Sequence, residues 1–190
     1  MMTGIWLRMR RSALDLSRDT KGIAAIEFAM VVPLMLVLFF GTVEFSSGVA
    51  VDRKVTLMAR TLSDLTSQNI SVTDAQLTNI FNASTGVMTP YSVTPLKSTI
   101  TELYVDPVSK IARVQWSKGD APRGTGSTVA IPTALKVGDT YLIYSEVSYK
   151  YVPAVGYVMA KAGIDLSDFT YTRPRQSLCV MYNTAVCTKS

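Results

Sequence analysis

The sequence predicts an α+β fold: a long N-terminal transmembrane helix that extends into a small antiparallel β-sheet domain. Three observations carry this. Residues 23–43 form an apolar run whose only charge is Glu27, and as a helix that run spans about 30 Å, the thickness of a bilayer's hydrocarbon core. Beyond Gly48 the apolar residues Val51, Val55, Met58, Leu62 and Leu65 recur at alternating steps of four and three, which marks one stripe of the same helix. From residue 98 onward, short alternating segments bounded by Pro, Gly and Asp replace the helical period.

The elements follow in order. Residues 1–22 read as a polar, basic leader, in which Ile5, Trp6, Leu7, Met9, Leu14 and Leu16 could form an amphipathic surface helix. A helix is expected over 23–66, with 23–43 in the membrane and the remainder under an extracytoplasmic α+β domain, 67–190. Pro33 lies inside it; a proline there removes one hydrogen bond and kinks the axis, which membrane helices tolerate. Thr73 and Gln76 have the spacing of a capping box that opens a short helix at 74–83. Strands are expected over 98–105 and 110–117, joined by the turn Asp106-Pro107-Val108-Ser109. A Gly-rich loop follows at 118–127. The clearest strand covers 139–152, with Tyr141, Ile143, Val147, Tyr149 and Tyr151 on one face and Tyr144, Glu146 and Lys150 on the other. Residues 155–162 read as a short helix or a packed apolar loop, and 169–172 as a last strand. The helix stripe and the apolar sheet face need each other, because neither can bury itself alone.

Charge and cysteine usage orient the chain. The net charge is +5, and the residues before Ile23 hold five basic against two acidic side chains. That bias leaves the N-terminus in the cytoplasm and the C-terminal domain on the far side of the membrane. The remaining charges are scattered, which argues against a nucleic-acid surface. The two cysteines, Cys179 and Cys187, read as a local disulfide of an exported domain. The chain has no histidine, so no metal site, cofactor or general acid–base catalysis is expected, and neither is an enzyme. A conventional signal peptide fits poorly, since the polar region and the apolar run are both too long.

The strongest motif is Gly22-Ile23-Ala24-Ala25-Ile26-Glu27-Phe28. Together with Pro33, Gly41 and Glu44-Phe45, it resembles the TadE-like minor pilins, or pseudopilins, of tight-adherence (Flp-type) pili, in the type IV pilin superfamily. The match is looser in the soluble part, through Trp116-Ser117, Tyr149-Lys150-Tyr151-Val152-Pro153 and Arg173-Pro174-Arg175. The resemblance implies cleavage by a prepilin peptidase between Gly22 and Ile23. It implies an assembly role for Glu27 and Phe28, with the Glu27 carboxylate pairing with the α-amino group of a neighbouring subunit. The implied partners are the prepilin peptidase, other pilin subunits, the inner-membrane assembly platform and membrane lipid, with a place in an extracellular pilus after assembly. Gly41 and Gly48 share a helical stripe with Glu27; a close helix-packing face and ordinary membrane-helix composition both account for them. The competing reading of the whole chain is a single-span periplasmic binding or scaffold protein that keeps its leader.

Overall fold

The computed structural model describes residues 21–153 and 163–189. The expected leader, except its last two residues, and the expected element at 155–162 lie outside the described residues. The chain divides into two units between Phe45 and Ser46. Helix α1, Lys21–Ser67, begins in the first unit and ends in the second, with Pro33 in its interior. After it come β1 (Ser71–Val72), α2 (Asp74–Thr85), β2 (Leu96–Val105), β3 (Ala112–Gly119), β4 (Thr128–Val129), β5 (Thr140–Tyr151), β6 (Ile164–Thr172) and β7 (Met181–Tyr182). Five of the strands form one antiparallel sheet in the order β4-β3-β2-β5-β6, while β1 and β7 pair in parallel as a separate ribbon. The α+β class, with a helix leading into a small sheet domain, is therefore the fold.

In the second unit the sheet has two buried faces. On one, Val51, Val55, Met58, Ala59 and Leu62 of α1 pack on Ile100, Trp116, Ile143, Val147, Tyr149 and Tyr151. Leu65, expected to continue this stripe, is only half-buried, and Ser63, Thr66 and Ser67 are buried instead. Hydroxyls suit this end because they meet polar partners: Ser63 Oγ lies 2.7 Å from Thr172 Oγ1, and one turn earlier Ser145 Oγ donates to Ala59 O at 2.7 Å. A buried hydroxyl without such a partner would cost about 1–3 kcal/mol. On the opposite face Leu103, Val105, Ala112, Val114, Leu142 and Tyr144 gather around Ile131. Tyr144, placed by the sequence on the strand face opposite Tyr141, does lie on that second face and is buried there.

Local chemistry explains the connections. The capping box forms as expected: Gln76 N donates to Thr73 Oγ1 and Thr73 N to Gln76 Oε1. In the β2–β3 turn, Asp106 Oδ1 accepts from the amides of Val108 and Ser109, and Lys110 closes the turn at φ 59°. Gly119 has φ 132°, and a Cβ there would lie 2.2 Å from Ser98 O, so only glycine can end β3.

Sequence periodicity missed three short strands and shortened another. β1, β4 and β7 have two residues each, too few for any period to show. β6 begins at Ile164, five residues before the expected start. Its Asp165, Ser167 and Asp168 hide the strand pattern because β6 is an edge strand, with Leu166 and Tyr171 only partly buried against the core. β3 carries a bulge: Leu103 pairs with Val114 and Glu102 with Trp116, so Gln115 is the extra residue between them. Without that extra residue Val114 and Trp116 would share a face; with it, Trp116 turns to the α1 side.

The C-terminal segment covers the part of the α1-side face that α1 leaves open. Cys179 packs with Tyr104 and Tyr141 and is disulfide-bonded to Cys187, with Cα atoms 6.1 Å apart. Closing this short loop restricts the unfolded chain by roughly 2–3 kcal/mol. The double variant Cys179→Ser/Cys187→Ser is expected to lose about that much stability in urea denaturation followed by Trp116 fluorescence, whereas an unchanged midpoint would show that the covalent link adds nothing.

Candidate functional site

The candidate site lies on the first part of α1. Its sequence from Gly22 to Phe45 contains two charges, Glu27 and Glu44. Ile23, Ile26, Phe28, Met30, Leu34, Phe39 and Phe45 are all exposed. Among the described residues this is the one helix long and apolar enough to cross a membrane; its best window has a mean hydropathy of 2.5 and no buried residue. Such a surface is not stable in water. It needs lipid or other apolar helices around it.

Glu27 sits in this surface, exposed and one turn beyond Ile23. Phe28 is exposed beside it. The described helix starts at Lys21, so the Gly22–Ile23 bond falls in its first turn, and no atom within 4 Å crowds the space a Gly22 side chain would take. Pro33 follows Glu27 by six residues and lacks an amide, so the Ala29 carbonyl loses its helical donor. The two glycines of the stripe are not required by contacts within the chain. Nothing lies within 4 Å of a Cβ at Gly41, and at Gly48 the nearest atom is Tyr151 Cε1 at an ordinary 3.7 Å. Gly22, Ile23, Glu27, Phe28 and Pro33 thus fall on one exposed apolar segment. Cys179 and Cys187 belong to the tail of the other unit.

A second polar arrangement escaped the sequence reading. Glu102, on β2, is 2% exposed. Its Oε1 accepts the Val180 amide at 2.5 Å, while Trp116 Nε1 donates to Val180 O at 2.8 Å. Two side chains from the sheet therefore hold both polar groups of one tail residue. Burial raises the Glu102 carboxyl to about 8, opposed by the Val180 amide and the Trp116 indole. Further contacts fasten the tail: Tyr182 Oη donates to Asp74 at 2.6 Å, Tyr141 Oη to Thr188 O at 3.2 Å, and Lys189 pairs with Asp139 at 2.9 Å. The Tyr182 hydrogen bond, helped by Lys118, lowers the Asp74 carboxyl, and Lys189 does the same for Asp139. This arrangement closes the domain. A signal for it existed in the sequence: an acid between Ile100 and Tyr104 on one face of a predicted strand.

Comparison with known proteins adds one finding. No curated protein and no solved structure matches the chain. The model of the TadE-like protein family matches residues 22–62, which begin at Gly22, contain Glu27, Phe28 and Pro33, and end at Leu62 in the buried stripe. Over α1, from the exposed apolar segment to the residues that pack beneath the sheet, this chain is similar to the TadE-like proteins.

Proposed function

We propose that this chain is a pilin-like subunit, a minor pilin or pseudopilin, of a Tad (Flp-type) pilus. The observation that carries the reading is the TadE-like match on a helix whose first part is apolar and exposed. The family is structural rather than enzymatic, and it suggests interaction with other pilus components. In this reading the helix spans the inner membrane once, with the soluble domain in the periplasm. A prepilin peptidase cuts between Gly22 and Ile23, and the mature chain joins sister subunits through the assembly platform. The subunit then serves pilus biogenesis and surface adhesion.

Physical chemistry gives each residue its role. Glycine at the cut admits an extended backbone to a membrane protease without a side-chain clash. Removing the basic leader takes away the charges that hold the N-terminus at the cytoplasmic face. A carboxylate in lipid costs up to roughly 2.5–3.5 kcal/mol at mid-membrane and less near the interface. Pairing Glu27 with the new α-amino group of an adjacent subunit offsets that cost only in the assembled state, so the pair favours assembly over the isolated subunit.

Mass spectrometry of the chain isolated from its native cells tests the reading. The expected mature N-terminus is Ile23, with an N-methyl group. A chain that keeps its leader in cells containing the peptidase would instead support a single-span periplasmic binding or scaffold protein.

A further inference from the structure

The sheet face turned away from α1 is covered at one end only, by the cluster around Ile131. At the other end two cross-strand rows lie in an open groove of about 460 Å³. One row is Thr99, Glu146 and Phe169; the next is Lys97, Ser148 and Ser167. We propose that this groove binds a neutral pyranose saccharide, one or two rings long.

The rim is held in place before any ligand arrives. Arg123 makes a two-point ion pair with Glu146, at 2.9 and 2.5 Å, and its guanidinium lies 5.6 Å from the Tyr144 ring centroid. Asp120 N donates to Ser98 O at 2.9 Å, Ser98 N donates to Asp120 Oδ2 at 2.7 Å, and Ala121 N donates to Thr99 Oγ1 at 3.1 Å. These contacts fasten the Gly-rich loop along the edge of the groove, so the floor is uncovered.

The floor and wall have complementary chemistry. Among the described residues, the Ser148 and Ser167 hydroxyls and the Lys97 ammonium make no side-chain hydrogen bond, so their donors and acceptors are available. Phe169 is 55% exposed and lies 6.0 Å from Tyr144 and 5.8 Å from Tyr171, ring centroid to centroid. It offers an apolar plane beside polar groups, the combination that orients ligands in mostly apolar pockets. Charge decides the class of occupant. Lys97 and Arg123 are balanced by Glu146 and Asp168, so neither a polyanion nor a polycation is favoured. A pyranose ring fits both halves: its C–H face lies on Phe169 and its hydroxyls meet Ser148, Ser167 and Lys97. The inference is independent of the pilus reading and stands whether or not Gly22 is cut.

The test uses the full chain in nanodiscs free of sugar-headed detergent, titrated calorimetrically with maltose, cellobiose, chitobiose and lactose. At least one is expected to bind with Kd of about 1 mM or tighter. Phe169→Ala is expected to weaken binding roughly tenfold. Lys97→Gln, at an exposed position that folding does not need, should weaken it severalfold, and Val108→Ala on the β2–β3 turn should leave it unchanged. Thermal midpoints check that each variant folds. Failure of all four sugars to bind overturns the proposal. So does binding indifferent to both groove variants, binding of acidic sugars alone, or displacement of the sugar by an extended peptide.

Discussion

Glu27→Ala is expected to leave membrane insertion intact and to reduce assembled pili at least tenfold. The two halves of this result come from one charge. In the isolated subunit the carboxylate is a burden on a helix that lipid would otherwise accept, so removing it makes insertion slightly easier. In the assembled state proposed above the same group pairs with a neighbouring α-amino group, and on that reading its loss removes an interaction that favours neighbouring subunits over lipid. A merely structural residue would behave differently: its replacement would lower the amount of folded chain in the membrane as well. Glu27 is exposed and outside the packed domain, so the fold gives no reason for such a loss. Membrane fractionation and quantification of sheared fibres separate the two effects. Normal fibre yield from Glu27→Ala cells would remove the assembly role. Glu27→Gln adds a control of shape, and it should fail as Ala does if charge is what matters.

Glu102→Gln is expected to stabilise the domain at alkaline pH. Burial raises the folded carboxyl from 4.5 to about 8. The folded chain therefore holds a proton that the unfolded chain releases, and folding weakens as pH rises between those values. The contribution is fully present below about pH 4.5 and lost as pH passes about 8. Its upper limit is roughly 4–5 kcal/mol. The groups facing Glu102 are the Trp116 indole from β3, Tyr141 from β5 and the Val180 amide of the tail. None of them is a cation that could stabilise the ionised form. Glutamine keeps an oxygen for the Val180 amide and does not titrate. Its advantage over the parent should be small at pH 4 and reach about 2–4 kcal/mol at pH 9. Urea denaturation of both chains across this range gives the difference directly, and parallel pH curves would exclude a buried, titrating carboxyl.

The place of Glu27 on an exposed apolar helix was legible in the sequence and the burial of Glu102 was not, for a physical reason. A lone acid within an apolar run is visible from adjacent residues, because lipid tests each side chain by its depth along one helix. The same holds for Gly22, Phe28 and Pro33, for the stripe Val51, Val55, Met58 and Leu62, and for the Thr73–Gln76 cap: each depends on neighbours within a turn or two. The Cys179–Cys187 pair was legible as well, from number and spacing. Leu65 shows where such reasoning stops. The stripe pointed to burial, but the sheet edge above it presents Thr172 and the Ile143 carbonyl, so Ser63 is buried there instead.

The sequence alone determined that a long apolar helix leads a small sheet domain, and that its first segment belongs in lipid or among other helices. These properties follow from local composition and period. Tertiary structure alone decided what the second unit does with its polar residues. The extra residue at the bulge, Gln115, shifts the register by one residue and brings Trp116 to the same face as Glu102. The tail then supplies Val180 between them, and the pairing of β2, β5 and β6 lines up Lys97, Ser148 and Ser167 across three strands. Strand register is a long-range quantity: moving it by one residue exchanges the two faces while leaving every local pattern unchanged.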